Sequence, residues 1–285
     1  MTENHDRKSP KSPSIPADWW LPSYKGGFFG ANYVQGDDSK EGYLHERKLT
    51  REDRTFREVL AVTEILDYFH PPWKDGVLVD CPCGFGRHTN QFARYCRTTI
   101  GVDLNHDYLL SAKDAVTASG AIYVEADMRN LPLHKMSVSA VTNLWTAFGF
   151  FDTDEQNVMV LEGWSRILIQ GGIAVIHSDL NPAMVKRGAW VEPIARTLAS
   201  GGELGVHERF DQPSGRVVGT WRITFPNGHI DEQQYSIRVW SKDEWETFAD
   251  QTGFDVVGLY GSLDKPLSTP LGDESQECIV VLKKR

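Results

Sequence analysis

From Gly76 onward, short runs dense in Val and Ile alternate with longer stretches in which apolar residues recur every three or four positions. The runs predict strands over 76–80, 98–104, 122–126, 138–144 and 173–178, and the stretches between them predict helices over 89–95, 107–119 and 155–168. Strands of this kind separated by helices imply βαβ units and a parallel sheet covered on both faces, an α/β fold of the Rossmann-like, doubly wound type. Upstream, Phe56, Val59, Leu60, Ile65 and Leu66 keep helical spacing from Thr50. That helix ends before Pro71 and Pro72, since a proline excludes helical backbone at the residue preceding it.

After Asn181-Pro182 the period changes. ELGVHERF, RVVGTWRITF and HIDEQQYSIRVW, separated by DQPSG and PNG, predict an antiparallel β meander at about 201–240. Ser241 and Glu244 have the spacing of a capping box and open a helix that Gly253 stops. Phe254–Tyr260 and Glu277–Leu282 supply two final strands.

The N-terminal part differs in character. Residues 1–18 are polar and proline-dotted and are expected to be a disordered tail. Trp19, Trp20, Tyr24, Phe28, Phe29, Tyr33 and Tyr43 then crowd residues 19–43 among glycines at 26, 27, 30, 36 and 42. Such a segment either forms an aromatic flap over a site or docks the N-terminus on the body. The expected organisation is thus a tail (1–18), a flap and helix (19–72), and one domain (73–285) carrying the meander.

Composition narrows the function classes. With 30 Lys and Arg against 39 Asp and Glu, the net charge is −9, which repels phosphate backbones and anionic lipids. No nucleic-acid or membrane partner is expected; no run of 18 apolar residues appears, and the first residues hold no apolar stretch, which gives the expectation of a soluble cytoplasmic protein. Cys81, Cys83, Cys96 and Cys278 are irregularly spaced and read as reduced thiols.

LVDCPCGFGRH, residues 78–88, sits at the first strand-to-helix turn, where glycine lets backbone approach a ligand. A Cys-x-Cys metal site has only His88 to add, so no metal is expected, and a redox pair has the wrong spacing. The later strands end in acids. Asp103 is placed to accept both hydroxyls of a ribose, and Asp127 to accept an exocyclic amine while Met128 covers a ring face. Asp80, just before the loop, suits an ammonium group or loop amides. Each acid alone also reads as a helix cap or turn former; three at successive strand ends behind a glycine turn favour a ligand site. A nicotinamide fingerprint is weakened because Thr89 stands where the third glycine belongs.

VDCPCGFGRH, GVDL, ADMRNLP, NLWTAFGFFD and LIQGGI resemble the successive motifs of class I S-adenosylmethionine-dependent methyltransferases, most nearly the bacterial small-molecule branch, over about residues 75–180. The resemblance implies a seven-stranded sheet with its last strand antiparallel, and S-adenosylmethionine as cofactor. It also implies that Asp80, Cys83, Gly84 and Gly86 surround the methionine half, Asp103 holds the ribose and Leu104 flanks the adenine. Asp127 and Met128 would bind the adenine, Asn143 and Leu144 offer backbone to the methionine end, and Arg87 and His88 anchor the loop. Pro82 and Phe85 depart from the family pattern. Pro82 removes an amide donor, so the cofactor carboxylate is expected to rely on side chains such as Tyr33 or Arg54.

Methyl transfer from a sulfonium chiefly requires alignment and water exclusion. Trp145 and Phe148 after the fourth strand, with Tyr24 and Phe28 from the flap, are the expected substrate-pocket residues, and Phe150 and Phe151 follow closely. On the fifth strand His177 and Asp179 lie two apart, and His177 is read either as a base or orienting group or as a satisfied strand-end histidine. His207, Glu208 and Trp221 are weaker candidates. The expected activity is methyl transfer to a small molecule, an aromatic or indolic metabolite. A nicotinamide oxidoreductase and a non-catalytic S-adenosylmethionine-binding protein are the alternatives. The meander either covers the pocket, pairs two subunits into a homodimer, or does both.

Overall fold

The structure, a computed structural model, describes residues 15–37, 50–115, 120–188, 194–198 and 200–285. Most of the expected tail (1–14) and the flap residues 38–49 lie outside them. Along the chain, α1 (Ala31–Asp37) and α2 (Arg51–Phe69) precede β1 (Val77–Asp80), α3 (Arg87–Phe92), β2 (Thr98–Asp103), α4 (His106–Asp114), β3 (Ala121–Glu125) and β4 (Val138–Asn143). Then come α5 (Asp154–Ile167), β5 (Leu168–Ser178), α6 (Pro182–Arg187), β6 (Ile194–Thr197), β7 (Glu203–Asp211), β8 (Arg216–Thr224) and β9 (Ile230–Arg238), followed by α7 (Lys242–Gln251), β10 (Phe254–Tyr260) and β11 (Cys278–Lys284).

Seven strands form one sheet in the order β10-β11-β5-β4-β1-β2-β3. β1 pairs in parallel with both β2 and β4, whereas β11 is antiparallel to β5 and β10, which is the expected doubly wound sheet with an antiparallel last strand. The Val and Ile runs explain why it is buried on both faces. Leu78, Ile173, Val175, Ile279 and Val281 pack with Val59, Val62, Ile65 and Leu66 of α2, while Val79, Val141, Ala174, Ile176 and Val280 cluster with Val160, Leu161 and Trp164 of α5. The buried stripe of α2 is narrower than its apolar spacing suggests, because Phe56 and Leu60 fall off its edge and are exposed.

Helix starts follow local chemistry. Thr50 with Asp53, Thr153 with Gln156 and the expected Ser241 with Glu244 are all reciprocal capping boxes, each satisfying two otherwise orphaned backbone amides.

β6 to β9 form a separate antiparallel sheet. The three-strand meander therefore has a fourth member, β6, whose four residues are too short to carry an alternating signal. Leu204, Val206, Ile223 and Tyr235 turn inward and join the main core. The N-terminal segment packs into the same cluster: Trp19 meets Phe28, Phe29, Phe150 and Tyr235 at ring-centroid distances of 5.2 to 6.1 Å. Asn32 of α1 donates to Asp231 of β9. Residues 15–33 are thus docked on the body.

Candidate active site

In an open α/β sheet a crevice forms where strand order reverses, because the loops on either side leave in opposite directions. Here that point is β1, between β2 and β4, and the loops after these strands line a cavity of about 180 Å³.

Cys81 to Phe85, the loop after β1, form one wall. Gly84 (φ +54°) and Gly86 (φ +76°) are left-handed. A Cβ on Gly86 would stand 2.5 Å from the Tyr123 hydroxyl and 2.7 Å from the Ala112 Cβ, so this glycine is required by packing as well as by backbone. A Cβ on Gly84 would meet nothing within 4 Å. Cys81 and Cys83 both line the cavity and are buried, and burial pushes both thiols well above their ordinary pKa, which makes them inert walls.

The three strand-end acids separate. Asp80 is buried beneath the loop and absent from the cavity lining; its carboxylate accepts from the Thr89 hydroxyl (2.6 Å) and the Thr142 hydroxyl (2.9 Å), pinning α3 and β4 to β1. Asp103 lines the cavity and also clasps the glycine loop, accepting from the Gly84 N–H at 2.7 Å and the Asn105 N–H at 2.8 Å. Burial raises its pKa to about 6, partly offset by those backbone donors. Asp127, also in the lining, is gripped by Arg129, whose Nη2 lies 2.6 Å away; burial opposes its ionisation, but Arg129 outweighs it and holds the carboxyl below its usual range. Leu104 and Met128 complete this end.

The opposite end is cationic. Arg54 of α2 and Arg87 and His88 of α3 line it, with Glu58 buried behind them. Arg87 Nη1 donates to Glu58 Oε2 at 2.5 Å and His88 Nε2 to the same oxygen at 2.6 Å, while Arg54 Nε lies 3.4 Å from Oε1. Burial works against the Glu58 charge, but the His88 hydrogen bond and the two guanidinium groups hold its carboxyl far below the usual range. Burial, reinforced by Arg87, lowers His88 to about 4, so at neutral pH one carboxylate faces two guanidinium ions and the end keeps a net positive charge. The Arg54 guanidinium lies 4.3 Å from the Trp145 ring, which it covers. Leu144 and Trp145 also line this part. Asn143 is fully buried and out of the lining; its Nδ2 donates to the Cys81 carbonyl at 2.8 Å, and its Oδ1 has no partner among the described residues.

Trp20, Phe29, Tyr33, Phe150 and Phe151 add aromatic lining, and Trp20 and Phe151 carry the Arg129 guanidinium at 5.0 and 4.3 Å, on the Asp127 side. The expected pocket residues only partly belong to the lining. Trp145 does. Tyr24 is 49% exposed and its hydroxyl accepts from the His106 N–H, and Phe28 is buried behind Phe29 against Trp221 and Tyr235. Phe148 packs on Trp164, Trp240 and Trp245. It shares with His177 a separate void of about 30 Å³.

His177 and Asp179 do not reach the cavity. His177 is fully buried and its Nδ1 accepts from the Trp145 N–H at 3.2 Å; exposed Asp179 accepts from the Thr146 hydroxyl. Both grip the turn after β4 instead of facing a ligand. Trp221 packs on Tyr33, while His207 and Glu208 border a depression on the meander, where Glu208 takes the Tyr235 hydroxyl bond.

Sequence reasoning missed Glu58, although its i,i+4 spacing from Arg54 was a usable signal. It missed Trp20 and Phe29 as lining, because composition marks an aromatic cluster without saying which rings face inward.

Comparison with known proteins adds three findings. Residues 79–176 match the methyltransferase domain family. A curated relative, dTDP-3-amino-3,4,6-trideoxy-alpha-D-glucopyranose N,N-dimethyltransferase of Streptomyces venezuelae, is 28% identical over 114 residues, covering 40% of this chain and 46% of the relative, so the match spans about half of that protein's length. Among solved structures, the CcbJ methyltransferase of Streptomyces caelestis superposes with a TM-score of 0.67 at 16% identity over 81% of this chain and 89% of its own. SAM-bound CalS10, an amino pentose methyltransferase of Micromonospora echinaspora, gives 0.63 at 18% over 91% and 99%. These likenesses show the fold. Among the described residues, no helix is long and apolar enough to cross a membrane.

Proposed function

As a member of the class I S-adenosylmethionine-dependent methyltransferases, this protein, we propose, moves a methyl group from S-adenosylmethionine to the amine of a small amino-sugar-like acceptor. The carrying observation is the polarity of the cavity: cations at Arg54 and Arg87, an anion at Asp103, and aromatic rings in the same lining. That distribution suits a ligand with a carboxylate at one end, hydroxyls at the other and a positive centre near π faces.

When bound, the cofactor supplies an electrophilic methyl group. The chain's residues do the rest. Arg54 pairs with the carboxylate, compensating for the amide donor that Pro82 lacks, and Asp103 accepts from the ribose hydroxyls. Asp127, Met128 and Leu104 take the adenine. Trp20, Phe29, Tyr33, Phe150 and Phe151 hold the acceptor and exclude water. A neutral amine needs alignment more than a base, which agrees with His177 lying outside the cavity. The relatives' amino-sugar and amino-pentose acceptors motivate the substrate class. The aromatic wall favours a second reading, a flat aromatic or indolic acceptor.

Calorimetry with S-adenosylhomocysteine and with NAD tests the cofactor; binding of the first alone is expected, and binding of NAD alone overturns the reading. Labelled cofactor is then offered with amino sugars, free and nucleotide-linked, and with indolic amines. Labelled amino sugar is the expected product. Label only in the indoles moves the acceptor to the second class, and cofactor binding with no product in any arm makes the protein a binder.

A further inference from the structure

Trp145 (φ +60°) and Thr146 (φ +56°) are two successive non-glycine residues in the left-handed region, at the mouth of the strand that ends in the cavity. Left-handed backbone is disfavoured for residues with a Cβ and persists only where surroundings over-determine it. The surroundings are the end of β5 and the residue that follows it. His177 Nδ1 accepts from the Trp145 N–H at 3.2 Å, and the His177 carbonyl accepts from the Thr146 N–H at 3.0 Å. The Asp179 N–H donates to the Thr146 hydroxyl oxygen at 2.9 Å.

An imidazole that accepts at Nδ1 carries its proton on Nε2. That atom is buried, has no hydrogen-bond partner among the described residues, and lies 3.9 Å from Glu277 Oε1, while Glu277 Oε2 accepts from the Leu263 N–H at 2.7 Å. On its other side the turn presents the Trp145 ring to Arg54 at 4.3 Å and Arg87 at 5.6 Å. A chain of contacts therefore runs from Glu277 through His177 and the strained turn to the cationic end of the cavity.

We propose that His177, as the neutral Nε2–H tautomer steadied by Glu277, is a positioning residue that holds Trp145 left-handed and so sets the platform on which Arg54 meets the cofactor carboxylate. The inference rests on the cofactor reading above. It departs from a purely space-filling role in one respect: the acceptor at the Nδ1 position matters, and the volume of the ring does not.

The test compares S-adenosylhomocysteine affinity in His177→Asn, whose Oδ1 can stand where Nδ1 stood, with His177→Gln, which is closer to histidine in size but carries its oxygen further out. His177→Asn is expected to bind within about 3-fold of the parent and His177→Gln at least about 10-fold more weakly, the scale on which misplaced contact groups act. Equal affinities for the two, or Gln better than Asn, overturn the proposal. A second measurement needs no variant: ¹⁵N spectra of the labelled parent are expected to show His177 protonated at Nε2 alone at pH 7.5, and protonation at Nδ1 overturns it. A parent that fails to bind S-adenosylhomocysteine refutes the cofactor reading, while the tautomer still decides this one.

Discussion

Two tight turns, after the neighbouring strands β1 and β4, line the cavity and reach left-handed backbone by opposite means. The turn after β1 uses Gly84 and Gly86, for which positive φ is inexpensive. The turn after β4 uses Trp145 and Thr146, and recruits His177 and Ser178 at the end of β5 and Asp179 just beyond it to hold them there. The positive φ values of the first turn come from its own glycines, with Asp103 clasping the Gly84 N–H, and its open face is left free for a ligand. The second depends on a neighbouring strand, and in exchange puts an aromatic ring where a glycine would put nothing. Local sequence chemistry builds one wall; tertiary contacts build the other.

The sharpest way to break this contrast is at Gly86. Gly86→Ala combines a left-handed Cβ with contacts at 2.5 and 2.7 Å, and is expected to cost about 3 kcal/mol, a Tm drop of roughly 6–12 °C by thermal melting. Asp103, which ties the glycine loop to the ligand site, comes next. Asp103→Ala should weaken S-adenosylhomocysteine about 100-fold in calorimetry, or about 2.7 kcal/mol.

The same residue gives a pH signature. Burial raises its pKa to about 6, so affinity should fall as pH drops through 6 and the acceptor is protonated. Its effect on stability has the opposite sign: a carboxyl with a raised folded pKa is most favourable below the unfolded value of about 4, and that contribution is lost as pH rises through 6. Asp103→Asn should flatten both curves; persistence of the binding curve would assign it to another group.

At the second turn, Thr146→Ala keeps the strain and loses the hydroxyl bonds to Asp179, an expected loss of about 1–2 kcal/mol. Thr146→Gly loses the same bonds but relaxes the backbone, so it should melt above Thr146→Ala, the reverse of the usual order. Gly84→Ala should cost only the left-handed backbone term, about 1–2 kcal/mol, because its Cβ would stand in open space.

The same division decides what could be read from the chain. The sheet, the glycine loop and the strand-end acids are written in local patterns, and Asp103 and Asp127 do line the cavity. Asp80 carries the same local pattern but is used as a buried tie, since Thr89 and Thr142 satisfy it. His177 was legible as a polar residue at a strand end, yet its Nδ1 takes the N–H of the left-handed Trp145 instead of facing the cavity, a pairing that no spacing rule anticipates. Phe28 and Phe148 show the limit for aromatics: composition places them near the site, and packing against Tyr235 and Trp164 takes them out of it.

The docked N-terminal segment has a consequence for how such a protein diversifies. Asp103, Asp127 and the glycine loop lie within the stretch matched to the methyltransferase domain family, whereas Trp20, Phe29 and Tyr33 belong to a separate stretch laid over it. On the proposed reading, acceptor preference would drift by exchange of a short docked segment while the donor half is inherited intact. A graft of residues 15–37 from a relative should carry that relative's preference with it.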